Sequence, residues 1–134
     1  MKVFVDTSGF KAIVDPEDDF HQQAVEIWQK LKDKEAKLIT SNYILDETFT
    51  LLRARCGLQT AIEFKKVLAE SQKSLTIYRV TVSDESDAWG WFNKKWSRLS
   101  FTDCVSFAMM ERLEIEKAVS FDQHFSRAGF ELVN

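Results

Sequence analysis

Turn-forming residues are what this chain lacks: its 134 residues include four glycines and one proline. A sandwich or barrel of many short strands turns about every 8–12 residues and needs such residues throughout, so that architecture is excluded and helices must dominate. With 45% hydrophobic and 29% charged residues, the composition is that of one soluble folded domain spanning residues 1–134. A chain of this size buries roughly two thirds of the surface it exposes when unfolded, so it needs neither disulfide nor structural metal to fold.

The two cysteines, Cys56 and Cys104, lie in apolar helical stretches, and the apolar start Val3-Phe4-Val5 is broken at once by Asp6. No uncharged apolar run approaches the roughly 18 residues of a membrane span. These features lead us to expect no signal peptide, no membrane association and a reducing, cytoplasmic setting. The formal charge is −3, from 18 basic and 21 acidic residues. Any polyanion the protein engages must therefore be held by local basic patches or by bound cations.

Apolar runs and caps alternate along the chain. Strands are predicted at Lys2 to Val5, Lys37 to Thr40, Leu75 to Val80, Lys117 to Phe121 and Phe130 to Val133. A helix is predicted after Asp6-Thr7-Ser8-Gly9, and a second from Asp15-Pro16-Glu17, with Phe20, Ala24, Ile27, Trp28 and Leu31 at helical spacing. Others run from Ser41-Asn42 to Cys56, with Gly57 as the stop, and from Leu58 to Gln72. A helix opened by Ser83-Asp84-Glu85 carries Trp89, Trp91, Phe92 and Trp96, of which Trp89, Phe92 and Trp96 are expected to face the core. Ser100-Phe101-Thr102-Asp103 begins a helix whose body, Cys104 to Leu113, is apolar almost all round and so belongs at the centre of the fold. A short helical turn covers Gln123 to Arg127. Alternation of this kind implies an α/β fold, a mostly parallel central sheet of four or five strands with helices on both faces.

Within this frame, a few acids occupy costly positions. Asp6 and Asp122 each directly follow a predicted buried strand. Glu47 shares an apolar helical stripe with Tyr43, Ile44 and Leu51, whereas Asp46 lies on a polar stripe with Asn42, Thr50 and Arg53. Asp103 opens the most apolar helix, although Ser100-x-x-Asp103 also has the spacing of a capping box. Each acid alone can be explained as a cap or an ion-pair partner. Together they fall at equivalent places, at the carboxyl ends of strands where open α/β sheets bind ligands. Carboxylates gathered there repel one another and raise their own pKa values unless cations lie between them. The implied cation is hard and oxygen-loving, Mg²⁺ or Mn²⁺. Thr7 and Ser120 could supply supporting hydroxyls, Ser120 by strand alternation on the same side as Asp122. His21 and His124 have no cysteine or second histidine at zinc-ligand spacing, so no zinc site is expected.

The chain resembles the PIN domains and, among them, the VapC-type toxin ribonucleases of toxin-antitoxin pairs. The matching stretches are Val3-Phe4-Val5-Asp6-Thr7-Ser8-Gly9, Thr40-Ser41-Asn42-Tyr43-Ile44-Leu45-Asp46-Glu47, Ser100-Phe101-Thr102-Asp103-Cys104 and Val119-Ser120-Phe121-Asp122-Gln123-His124-Phe125, continued by Gly129-Phe130. The resemblance implies that Asp6, Glu47, Asp103 and Asp122 are catalytic, metal-holding carboxylates, with Ser120 where the family often has Ser or Thr. It implies a divalent-metal-dependent endoribonuclease that leaves a 5′-phosphate and a 3′-hydroxyl, a homodimer, and a small antitoxin partner.

An acidic protein must still hold RNA. Local positive charge is available at Arg53 and Arg55, at Lys65 and Lys66, and in the stretch from Trp89 to Arg98, where Lys94, Lys95 and Arg98 are candidates for phosphate contact. A haloacid-dehalogenase-type phosphatase would need a second Asp two residues after Asp6, where Ser8 stands. The remaining alternative is a catalytically silent RNA-binding or interaction module with the same fold. Which RNA is cut, and whether one or two ions bind, is not legible in the sequence.

Overall fold

The computed structural model describes residues 1–134. The strands β1 (Lys2–Val5), β2 (Lys37–Ser41), β3 (Leu75–Tyr78), β4 (Lys117–Val119) and β5 (Glu131–Leu132) form one five-stranded sheet in the order β3-β2-β1-β4-β5. Every pairing is parallel; Phe4, for example, lies beside Ile39 on one side and Ala118 on the other. The strands are joined by α1 (Thr7–Val14), α2 (His21–Asp33), α3 (Asn42–Arg55), α4 (Leu58–Glu70), α5 (Val82–Phe92), α6 (Phe101–Arg112) and α7 (Gln123–Arg127). Successive side chains of a strand point to opposite faces, yet Val3, Phe4 and Val5 of the central strand are all fully buried. Both faces of the sheet are therefore covered, as the α/β reading requires.

From β1 the chain crosses to β2 and then β3, and only afterwards returns to the other side of β1 to build β4 and β5. Connections leaving β1 and β4 thus part in opposite directions. That divergence opens a crevice outside the carboxyl ends of these two strands, the position at which α/β sheets bind ligands. Asp6 follows β1, and Ser120 follows β4.

Local chemistry starts the helices around this crevice. Asp6 N-caps α1, its Oδ1 accepting from the Gly9 amide at 2.8 Å. Gly9 is required by proximity: a Cβ there would stand 2.8 Å from the Val119 carbonyl oxygen, so α1 begins pressed against β4. A full capping box between Ser100 and Asp103 opens α6, and Cys104 to Met110 are buried without interruption, as expected for the central helix. The Arg112 guanidinium at the far end of α6 grips the buried Asp84 carboxylate of α5 at 2.7 and 2.9 Å. Burial would raise the Asp84 pKa, but this paired contact and the cap at Thr81 outweigh it and hold the carboxyl below its ordinary value.

Several expectations are corrected. The second helix starts at His21 rather than at Asp15-Pro16, because residues 15–20 form side-chain-closed turns. Asp15 Oδ1 accepts from the Glu17 amide at 3.0 Å and Asp18 Oδ1 from the Phe20 amide at 2.8 Å, competing with helical bonding. Lys11 draws both acids together at 3.2 and 2.6 Å. β4 stops at Val119, short of the predicted Phe121, because the Phe121 amide donates to Ser8 Oγ instead of to a strand. β3 stops at Tyr78, and the Val80 amide donates to Asn42 Oδ1. Trp89 and Phe92, expected in the core, are 53% and 40% exposed. The inward line of α5 runs through Asp84, Ala88 and Trp91, since Asp84 must meet Arg112. Trp96 does pack inward, but from beyond the end of the helix. No helix is long and apolar enough to cross a membrane.

Candidate active site

Asp6 is the buried centre of the crevice, 4% exposed. Its Oδ1 accepts from Ser8 Oγ and the Gly9 amide, both at 2.8 Å, and its Oδ2 accepts from Ser120 Oγ at 2.7 Å. Burial pushes its pKa up to about 7 against the lowering effect of these donors, and the nearby Asp103 charge adds to the rise. Asp103, at the start of α6, is pushed up to about 6, chiefly by burial and then by the charges of Asp122 and Glu47. These carboxylates feel one another because separate stretches of chain bring them to the same place.

Glu47 reaches the crevice from the second turn of α3. The buried line of that helix is Ile44, Thr48 and Leu52; Glu47 flanks it, half-buried with Tyr43 and Leu51, whereas Asp46 is exposed. Thr7 Oγ1 donates to Glu47 Oε1 at 2.5 Å, tying the start of α1 to α3. Asp46 and Glu47 nevertheless line one shallow depression with Asn42, Tyr43 and Thr102. Asp122 caps α7, accepting from the His124 amide at 2.8 Å, and keeps 39% of its side chain exposed.

The structure adds a residue that sequence reading set aside. His124, weighed only for zinc spacing, is 4% exposed and offers a ring nitrogen to the same space: ligand atoms of Asp103, Asp122 and His124 all lie within 4.8 Å of one another. Its place two residues after Asp122, at the start of the same short helix, was the available signal. Trp96 stacks nearly parallel on the His124 ring, with centroids 6.2 Å apart, and the Arg127 guanidinium lies 4.8 Å from the Trp96 centroid. Arg127 carried no sequence signal. Of the candidate phosphate contacts, Lys94, Lys95 and Arg98 are exposed in and beside the loop after α5, and Lys94 Nζ hovers 5.5 and 5.8 Å from the Trp91 and Trp96 rings. Arg53, Arg55, Lys65 and Lys66 are exposed on α3 and α4.

The donor set is dominated by carboxylates, and burial together with neighbouring negative charge pushes the Asp6 and Asp103 pKa values up to about 7 and about 6. A hard divalent cation relieves that repulsion and suits these oxygens, so the residues fit Mg²⁺ or Mn²⁺. Such a site can bind a phosphate through the cation and direct water at it.

Comparison with known proteins agrees in one direction. Residues 3–131 match the PIN domain family. The chain is 36% identical over 129 residues to the 23S rRNA-specific endonuclease VapC20 of Mycobacterium tuberculosis, from strains CDC 1551 / Oshkosh and ATCC 25618 / H37Rv alike, covering 96% of this chain and 95% of the relative. The crystal structure of Mycobacterium tuberculosis VapC20, described as a sarcin-ricin loop cleaving toxin, matches with a TM-score of 0.82 at 36% identity, over 96% of this chain and 95% of the other.

Proposed function

The chain belongs to the PIN domain family, and on that premise we propose that it is a divalent-metal-dependent endoribonuclease, the toxin of a toxin-antitoxin pair, with residues 1–134 acting as a single nuclease unit. The observation that carries this reading is the meeting of Asp6, Glu47, Asp103 and Asp122, drawn from separate stretches of chain, at the mouth of the β1–β4 crevice. Full-length kinship to a 23S rRNA-specific endonuclease supports ribosomal RNA as the substrate class.

Asp6, Glu47, Asp103 and Asp122 would hold Mg²⁺ or Mn²⁺, which when bound supplies Lewis acidity towards water and phosphate oxygen. The chain's own residues prepare that chemistry. Ser8, Ser120 and the Gly9 amide fix both oxygens of Asp6, and Thr7 fixes one oxygen of Glu47, leaving the other free. Lys94, Lys95 and Arg98 attract the sugar-phosphate backbone without reading sequence. Water adds to phosphorus as the bond to O3′ breaks and O3′ takes up a proton, leaving a 5′-phosphate and a 3′-hydroxyl. A homodimer, a small antitoxin that covers the acidic crevice and a cytoplasmic setting complete the proposal.

The test is incubation of the purified protein with intact ribosomes and with extracted 23S rRNA in Mg²⁺ or Mn²⁺, followed by mapping of new 5′ ends. One discrete metal-dependent cut, absent in Asp6→Asn, is expected. Absence of cleavage of either substrate, or equal cleavage by Asp6→Asn, would overturn it.

A further inference from the structure

The His124 imidazole is sealed against protein on all but one side. Only 5% of its side chain is exposed, and Nδ1 is buried with no hydrogen-bond partner. Nε2 faces the acids, 3.9 Å from Asp122 Oδ1, which is too long for a hydrogen bond. The Asp122 oxygen is already engaged by the His124 backbone amide at 2.8 Å. The side-chain nitrogen therefore points into the crevice without a protein partner. Trp96 lies nearly parallel to the ring at an interplanar angle of 10°, and with Arg127 against the same indole the imidazole has little freedom to turn.

The two nitrogens decide what this ring can do. A metal-ligating histidine donates its other N–H to an acceptor. Binding a cation through Nε2 would put the proton on Nδ1, where it would be a buried donor without an acceptor, a rare and costly arrangement. Placing the proton on Nε2 leaves Nδ1 a bare acceptor in place of an unpaired N–H, and turns a fixed N–H towards the space between Asp103 and Asp122. A hard cation there also prefers the carboxylate oxygens to imidazole.

Resting on the nuclease reading above, we propose that His124 is a substrate-contacting catalytic residue: its Nε2–H donates to a non-bridging oxygen of the scissile phosphodiester, and it is not a metal ligand. The group is held in place before substrate arrives, by Trp96 on its face and by α7 at its backbone. A donor fixed in a poorly hydrated site stabilises charge that builds on phosphate oxygen as water adds. It also explains why an imidazole is buried among acids without a hydrogen bond to any of them.

Two variants of His124 test this beside Asp6→Asn. His124→Phe keeps an aromatic ring against Trp96 but loses the donor; His124→Gln restores an N–H near the Nε2 position. His124→Phe is expected to lower kcat by about a hundredfold, in the range found for loss of one preorganised donor, with KM for RNA and the Mn²⁺ concentration for half-maximal thermal stabilisation nearly unchanged. His124→Gln should recover at least about tenfold of that loss. The proposal is overturned if His124→Phe cuts at the wild-type rate while Asp6→Asn is inactive, if His124→Phe weakens the Mn²⁺ response as a lost ligand would, or if folded Gln and Phe variants are equally impaired. Full activity of Asp6→Asn would instead remove the nuclease site itself, and this proposal with it.

Discussion

Ser120 Oγ donates a 2.7 Å hydrogen bond to Asp6 Oδ2 across 114 positions of sequence, joining the ends of β4 and β1 at the floor of the crevice. The same oxygen accepts from the Asp122 amide at 3.0 Å, so one hydroxyl orients a buried acid and the backbone of a second. Ser120→Ala should therefore act on chemistry more than on folding. Loss of the donor raises the Asp6 pKa further above about 7, so more Mn²⁺ is needed at neutral pH and the deficit shrinks as pH rises. The stability cost should be about 1.5–3 kcal/mol, that of a lost hydrogen bond to a charged group. Mn²⁺ titrations followed by thermal shift at pH 6.5 and 8.5 check the direction.

The raised acids also set the stability of the metal-free protein. Asp6 at about 7 and Asp103 at about 6 lie above their unfolded value of 3.8. Their protonated forms favour the fold, so this stability is full below about pH 4 and is lost as pH rises through 6 and 7. The metal-free melting temperature should fall between pH 5 and pH 8. Mn²⁺ at a hundredfold excess over its dissociation constant should restore about 2.7 kcal/mol at the upper end. The double variant Asp6→Asn, Asp103→Asn should lose both the pH slope and the Mn²⁺ response, and a wild-type response in that variant would place the ions elsewhere.

Adjacent acids on α3 separate a face from a charge. Asp46 is exposed and has no hydrogen-bond partner, whereas Glu47 is half-buried and held by Thr7. Asp46→Asn should change melting temperature and cleavage little, within about 0.5 kcal/mol, as surface substitutions usually do. Glu47→Gln should abolish cleavage while leaving the fold intact. Equal losses in RNA-cleavage assays would refute the assignment of Glu47 to the crevice.

Gly9 supports the site through backbone proximity alone. A Cβ there meets the Val119 carbonyl at 2.8 Å and the Val119 and Val5 side chains at 3.1 and 3.3 Å. Gly9→Ala must move α1 off β4 and is expected to cost about 1–3 kcal/mol, in the range of an overpacked core. The same shift should lower activity by displacing Asp6 and Thr7. Urea unfolding together with a cleavage assay reads both effects, and Gly90→Ala, at an exposed position of α5 with open space around it, is the control for helix propensity alone, expected to stabilise by about 0.5–1 kcal/mol and leave cleavage unchanged.

What the sequence determined by itself is local. Strand followed by acid at Asp6, the capping box at Ser100 and Asp103, the stop at Gly57 and the all-round apolar body of α6 each depend on residues within one or two turns of one another, where propensity and capping act. The α/β class followed from their alternation. Local rules also misled where two local solutions competed: the acids at 15 and 18 could start a helix or close turns, and contact with Lys11 favoured the turns. Only the tertiary structure decided the strand order that sets β4 beside β1, and with it the bond from Ser120 to Asp6. It likewise decided that Trp91, rather than Trp89 and Phe92, turns inward on α5, since Arg112 fixes the rotation of that helix through Asp84. It brought His124 to the acids as well. These pairings close loops of up to 114 positions, and which of them form depends on how whole elements bury apolar surface together, a quantity that no short stretch of sequence contains.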